Sequence, residues 1–448
     1  MVRIPAGESK VHEIMMDHPI KELIKNRQKG KKEGIYSICS ANEYVIRAAM
    51  IRARAADSPL LIEATANQVN QFGGYTGMKP REFKDFVYGL SIKTNFPPNK
   101  IILGGDHLGP LTWKNETESE AMEKAEQLIS QYVAAGFSKI HIDTSMPLGS
   151  DDKSIPLKAS VIAKRGARLA KVAEAAYQNI KINDADALHP VYIVGSEVPV
   201  PGGIREDEAL QVTDPDDFIE SVTLFREAFM EEGIADAFEH IVAAVVQPGV
   251  EFGNDSIHDY NREAARALCR ALEKYPDLVF EGHSTDYQKR AALKQMVEDG
   301  ISILKVGPAL TFALREGLFM LSLIEKELFH AAPEKQSYFI EILEAVMLEK
   351  PESWKPYYHG DEEDVRRSRK YGLSDRSRYY LAHPRVKAAI TVLMENLLKV
   401  KIPLSLISQY LPAQYESIRE GLMQNSADAL LLDRIGCLLD DYIYAASG

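Results

Sequence analysis

Eight short apolar, β-branched runs recur along the first 310 residues of this sequence, and each is followed by enough chain for a helix. They are residues 35–40 (IYSICS), 60–65 (LLIEAT), 100–106 (KIILGGD), 139–145 (KIHIDTS), 191–198 (VYIVGSEV), 240–248 (HIVAAVVQP), 278–284 (LVFEGHS) and 302–308 (SILKVGP). Near-continuous hydrophobicity is what a parallel strand covered on both faces requires. Between the runs lie helical patterns such as 119–135, where Ala121, Met122, Ala125, Leu128, Ile129 and Val133 recur at helical spacing. Eight successive βα units predict an α/β protein of the TIM (β/α)8 barrel class.

The chain has 448 residues, 45% hydrophobic and 26% charged, enough for one large core plus an appendage. The barrel is expected over 1–325. A helical C-terminal extension is expected over 326–448, where amphipathic patterns span 338–349, 384–399 and 426–444. The intervening aromatic and basic stretch 354–384 is too charged for a core and too aromatic for a plain loop, so the tail is expected to lie over the barrel or to form a homo-oligomer contact. The net charge of −12 comes from 53 basic and 65 acidic residues dispersed along the chain, which argues for solubility and against nucleic acid as a partner. Cys39, Cys269 and Cys437 are far apart with no CxxC spacing, so they read as buried fillers in a reducing compartment. No apolar run approaches the roughly 20 residues that span a bilayer, and no secretory leader is visible, so no membrane association and a cytoplasmic location are expected.

Barrel enzymes place their chemistry at the C-terminal ends of the strands, where the βα loops converge. That rule selects Glu63, Asn67 and Gln68 after the second run, Asp106 and His107 after the third, and Asp143 and Ser145 after the fourth. It also selects Ser196 and Glu197 after the fifth, Gln247 after the sixth, His283 and Asp286 after the seventh, and Lys305 on the eighth. His107 and His283 are the leading metal ligands, because neutral imidazoles with carboxylates such as Glu197 or Asp143 suit zinc, manganese or a similar divalent ion. Asp106, adjacent to a ligated His107, is a natural acid/base for a substrate hydroxyl. His141, alternating with Ile140 and Ile142 inside a run, reads as structural, as does His240 at the start of another. Gly307 lies where barrels bind phosphate through backbone N–H groups, and Arg376 and Arg378 could grip the same anion. The glycine-rich segments 71–77 (QFGGYTG) and 199–203 (PVPGG) read as ligand-approaching loops. Neither GxxxxGK[ST] nor a strand-GxGxxG-helix opening occurs.

Seven ordered motifs, IEATANQVNQFGGYTGM (62–78), GGDHLGP (104–110), HIDTSM (141–146), GSEVPVPGG (195–203), EGHSTDY (281–287), KVGPALTFALREGL (305–318) and YGLSDRSRYY (371–380), resemble the GatZ/KbaZ family, companion subunits of D-tagatose-1,6-bisphosphate aldolase. The resemblance covers nearly the whole chain. It implies a fold similar to that of the class II aldolases, metal-dependent TIM barrels acting on ketose phosphates. Asp106-His107 matches the aldolase Asp-His after the third strand and His283 the histidine of the seventh. The sixth offers Gln247-Pro248-Gly249 where an aldolase has another histidine, so Glu197, Asp143 or both are expected to complete the metal shell. Members of the family are described as non-catalytic aldolase subunits, as tagatose-6-phosphate kinases and as 4-epimerases of tagatose or fructose and their 6-phosphates. The leading expectation is a metal-dependent epimerase of D-tagatose 6-phosphate and D-fructose 6-phosphate, with His107, His283 and Glu197 on the metal, Asp106 at the C4 hydroxyl, and Asp143 as ligand or second acid/base. The rivals are a scaffold for a separate aldolase catalytic subunit and, by family naming alone, a kinase.

Overall fold

The computed structural model describes residues 17–195 and 210–448. Its centre is a closed barrel of eight parallel strands: β1 (Ile35–Cys39), β2 (Leu60–Thr65), β3 (Ile101–Leu108), β4 (Lys139–Ile142), β5 (Val191–Val194), β6 (Ile241–Val246), β9 (Val279–Gly282) and β10 (Ile301–Val306). Between β6 and β9 a small antiparallel hairpin, β7 (Glu251–Phe252) and β8 (Ile257–His258), stands outside the barrel. The strands follow chain order around the barrel, and β1 pairs with β10 to close it, as the eight runs predict.

The helices that cover the barrel begin where the sequence caps them. In α4 (Glu118–Ala135), the Thr117 side chain accepts from the Glu120 N–H while the Glu120 side chain accepts from the Thr117 N–H. Gly136 ends that helix in the left-handed conformation, which glycine adopts without a Cβ penalty. Outward-facing strand residues such as Ile38, Ile62, Ile140, Tyr192, Phe280 and Leu304 pack beneath this helical layer.

Inside the barrel the character changes along the axis, in steps of two residues per strand. The lower layer is apolar: Ile35, Leu61, Ile102, Val191, Val279 and Ile303 pack together, and α1 (Pro19–Gln28) plugs that end with Ile20 and Ile24. Two residues further along, the inward positions are Ser37 on β1, Glu63 on β2, Glu281 on β9 and Lys305 on β10, all buried. Another step reaches Cys39, Asp106 and His283 at the mouth. Continuous hydrophobicity therefore holds for the outer faces and the lower interior only.

The helices expected in the tail are present as α10 (Phe339–Glu349), α12 (Pro384–Leu398) and α15 (Ala427–Ala446). α15 packs against α2 (Glu43–Ala55), α8 (Arg290–Glu298) and α9 (Pro308–Leu328). Arg47–Asp428 and Arg52–Asp433 ion pairs at 2.6 and 2.7 Å tie it to α2, and the Tyr442 hydroxyl donates to the Thr285 carbonyl at 2.8 Å. The cysteines correct the expectation of three buried fillers: Cys437 is exposed and Cys269 half-buried. Cys39 borders the cavity at the barrel mouth, but burial pushes its thiol well above the usual range, which makes it a poor nucleophile. Among the described residues no helix is long and apolar enough to cross a membrane.

Candidate active site and metal centre

Asp106 and His107 are sequence neighbours on β3, and neighbours on an extended strand point to opposite faces. Here both enter the barrel mouth, because His107 adopts a left-handed φ of 48° and the pairing of β3 with β4 slips between Gly105 and Leu108. Such a conformation costs a non-glycine residue about 1–3 kcal/mol and marks a site where orientation matters. The glycines of GGDHLGP have local reasons. A β-carbon at Gly109 would lie 1.8 Å from the Asp143 carbonyl oxygen, and one at Gly104 would lie 2.7 Å from Glu63 Cγ.

Three imidazoles face one another at this mouth. The ring centroids of His107, His141 and His283 are 4.9, 4.9 and 5.0 Å apart, and all three residues are buried. One ligand atom from each, with one from Asp106, lies within 4.8 Å of the others. His107 Nδ1 is 2.7 Å from Asp143 Oδ2, and His283 Nε2 is 2.9 Å from Glu281 Oε1. A carboxylate on one ring nitrogen fixes the ring and directs the other nitrogen inward, the arrangement of metal-binding histidines. His141 Nδ1 lies 2.9 Å from Asp106 Oδ1, and the tautomer that donates its Nδ1–H to that carboxylate leaves a free lone pair on Nε2, which is buried without a hydrogen-bond partner. A buried orphan nitrogen among converging imidazoles and a carboxylate fits a zinc- or manganese-type ion.

Electrostatics agree with that fit. Burial lowers the pKa of His283 to about 3, against the pull of Glu281, and burial likewise lowers that of His141, so both are neutral and ligand-ready. Burial opposes charge on His107 too, but Asp106 and Asp143 prevail and raise its pKa, which marks a position that favours a cation. Burial also opposes charge on Asp143, yet its hydrogen bond from His107 holds it at about 2. Asp106 is held well below the carboxylate range despite burial, chiefly by Lys305 with Nζ 2.7 Å from Oδ1.

Beneath the imidazoles runs a layer of buried ion pairs. Lys305 also reaches Glu63 at 2.9 Å and Glu281 at 3.8 Å, and Lys139 bridges the same two carboxylates at 2.9 and 2.6 Å. The Ser37 hydroxyl donates to Glu63 at 2.6 Å. These groups balance one another's charge and fix Glu281, which in turn fixes His283.

Of the residues selected from sequence, Asp106, His107, His283, Asn67, Gln68, Asp286, Lys305, Gly307 and Arg378 line one cavity at the barrel mouth. The others are placed differently. Glu63 is fully buried in the ion-pair layer, away from the cavity wall. Asp143 stands behind His107, its other oxygen accepting from the Ser145 N–H and hydroxyl, and neither Asp143 nor Ser145 lines the cavity. Gln247 Oε1 accepts from the Gly249 and Val250 N–H groups and closes its own loop. Arg376 stacks on Tyr357, 3.2 Å from the ring centroid, and does not line the cavity. Gly307 donates its N–H to Asp286. Ser196, Glu197 and the PVPGG loop lie outside the described residues. Sequence reasoning missed His141, as well as Tyr75 and Tyr379 on the cavity wall. The signal for His141 was present: Lys139, His141 and Asp143 occupy alternate positions, one polar face of a strand whose other face is Ile140 and Ile142.

The model of the family described as "D-tagatose-1,6-bisphosphate aldolase subunit GatZ/KbaZ-like" matches residues 20–447. A crystal structure from Sinorhizobium meliloti 1021, named as a "probable tagatose 6 phosphate kinase", is 47% identical. It covers 92% of this chain and 100% of its own, with a TM-score of 0.83. A fructose-bisphosphate aldolase from Campylobacter jejuni is 14% identical, covers 86% of this chain and 96% of its own, and has a TM-score of 0.45. The YdjI aldolase from Escherichia coli K12 is 15% identical, covers 82% and 96%, and has a TM-score of 0.41. The match across 20–447 and the close S. meliloti relative agree with the motifs and the barrel, and the chain belongs to the GatZ/KbaZ-like family of D-tagatose-1,6-bisphosphate aldolase subunits.

Proposed function

We propose that this chain is a metal-dependent 4-epimerase interconverting D-tagatose 6-phosphate and D-fructose 6-phosphate. The observation that carries the reading is the triangle of His107, His141 and His283 beside the Asp106–Lys305 ion pair, at the mouth of a barrel with a cavity above it. The C4 hydrogen of a 2-ketose is β to the carbonyl and not acidic, so C4 cannot invert by simple enolisation. Inversion is accessible through cleavage of C3–C4, rotation of the aldehyde and re-addition to its other face.

The three histidines would hold the ion, with Asp143 and Glu281 fixing two of the rings. A divalent ion bound there supplies Lewis-acid polarisation of the ketone oxygen. Asp106 already carries Lys305, which leaves its carboxylate as the group to meet the C4 hydroxyl. Held ionised by that ammonium, it accepts the hydroxyl proton as C3–C4 breaks and returns it to the new alkoxide after re-addition, so no proton is gained or lost over the cycle. Asn67, Gln68, Tyr75 and Arg378 line the remaining wall and would orient the sugar.

The family description supports a second reading, in which the chain assists a separate aldolase catalytic subunit. The kinase name of the S. meliloti relative has no counterpart here in a phosphate-cradling sequence motif. The test is incubation of purified protein with D-tagatose 6-phosphate and zinc or manganese. Formation of D-fructose 6-phosphate is expected. No turnover, together with stimulation of an added aldolase subunit, would replace this reading with the second.

A further inference from the structure

We propose that Asp286 is a built-in anion that fills the phosphate cradle of this barrel, so that the substrate end facing β9 and β10 carries a free hydroxyl and never a phosphate. TIM barrels commonly bind phosphate through backbone N–H groups after the seventh and eighth strands, at the N-terminus of the following helix. In this chain that place is the Gly307-Pro308-Ala309 start of α9. Its donors are already used: the Gly307 and Ala309 N–H groups both donate to Asp286 Oδ1, at 3.0 and 2.8 Å. Asp286 is 2% exposed and lines the same cavity as His283, Lys305 and Gly307. A phosphate seated there would have to displace both bonds and lie against a buried carboxylate of like charge. Arg378, on the same wall, donates to the Ser374 carbonyl, to the Asp375 carbonyl at 3.0 Å and to the Tyr379 hydroxyl at 3.2 Å, so its guanidinium is not directed solely at an incoming anion.

Which carbon this excludes rests on the epimerase reading. There the C4 hydroxyl meets Asp106 on β3. His283, three residues before Asp286 and on the same cavity wall, belongs to the imidazole triangle that would hold the ion polarising the C2 ketone, so C1, the carbon beyond C2, is assigned to the Asp286 side. The substrate class is then a 2-ketose with a free C1 hydroxyl. Ketose 1-phosphates and 1,6-bisphosphates are excluded, and any phosphate is at C6.

The test compares binding of fructose and fructose 1-phosphate by titration calorimetry, in the metal-supplemented full chain and in two variants. Wild type is expected to bind fructose at least tenfold tighter than fructose 1-phosphate. Asp286→Ser, whose short side chain frees the two N–H groups, is expected to shift that ratio at least tenfold toward the phosphate. Asp286→Asn keeps an acceptor for both N–H groups and removes the charge, so it is expected to shift the ratio at least threefold in the same direction, whatever the folding of the serine variant. One ratio common to all three proteins, or tighter wild-type binding of the 1-phosphate, overturns the proposal. A shifted ratio without epimerase turnover leaves the exclusion standing and removes the epimerase reading; turnover with an unshifted ratio removes only this inference.

Discussion

Asp143 Oδ2 lies 2.7 Å from His107 Nδ1, and both side chains are almost wholly buried. In the proposed metal centre this contact places Asp143, expected among the ligands, as the group that would aim one. It fixes the imidazole with Nε2 3.9 Å from Asp106 Oδ1, and with Asp106 it raises the His107 pKa, so a cation is favoured on this ring.

Asp143→Asn keeps the side-chain shape but removes that charge. Loss of a carboxylate behind a metal-bound histidine typically weakens metal binding about 10–100-fold. A chelator-competition titration is expected to show a loss in that range with the thermal transition nearly unchanged. Equal affinity in variant and wild type would mean that His107 is not held for a metal.

At Gly109 the expected effect falls on folding instead. Alanine there would place its β-carbon 1.8 Å from the Asp143 carbonyl, and the two loops would have to separate. Overpacking of this kind costs about 1–3 kcal/mol, and more where the obstacle is backbone. Denaturant unfolding of Gly109→Ala should show that loss, with weakened metal binding as His107 and Asp143 move apart; a variant as stable as wild type would contradict the close approach.

The ion-pair layer gives a prediction at a distance from substrate. Lys139 is fully buried between Glu63 and Glu281. Lys139→Met leaves Lys305 as the ammonium facing both carboxylates, and breaking a buried pair from one side costs about 3–5 kcal/mol. Chemical denaturation measures this directly, and a cost below about 1 kcal/mol would show that the layer rearranges around the loss.

Burial raises the Asp286 pKa from 3.8 to about 6, against the N–H groups of Ala309 and Gly307. A carboxylate whose folded pKa is raised stabilises the fold most fully below its unfolded pKa, and the contribution is lost as pH rises through the folded one. A shift of this size corresponds to at most about 3 kcal/mol, lost between about pH 4 and pH 6. Relative to Asp286→Asn, wild type should therefore lose stability across that window and run parallel above it. Parallel curves from pH 4 to pH 8 would remove the raised pKa.

The barrel was legible in the sequence because each strand carries an apolar outer face beneath helices, and the punctuation between runs survives any error at their edges. The candidate ligand set was less legible, for a reason visible in β4. Treating KIHID as one apolar run hides the alternation that points Lys139, His141 and Asp143 to one face, and with it the third imidazole. The sixth strand ends in Gln247, which closes its own loop, and it is the fourth strand that brings a third imidazole to the mouth. Asp286 could be seen from its strand end, but its bonds to Gly307 and Ala309 join two loops about 20 residues apart, and no local pattern encodes such a contact. Arg376 and Arg378 read alike in SDRSRYY; only the path of the chain over the barrel mouth puts Arg378 on the cavity and Arg376 on Tyr357.

In the proposed function three imidazoles, His141 included, hold a divalent ion used in ketose epimerisation. The most direct measurement is the metal content of wild type and His141→Ala after loading with zinc or manganese and desalting, with conversion of D-tagatose 6-phosphate followed on the same samples. One ion per chain with turnover in wild type, and loss of both in the variant with its thermal transition in place, is the predicted result. Full metal occupancy and undiminished turnover in His141→Ala would contradict the account.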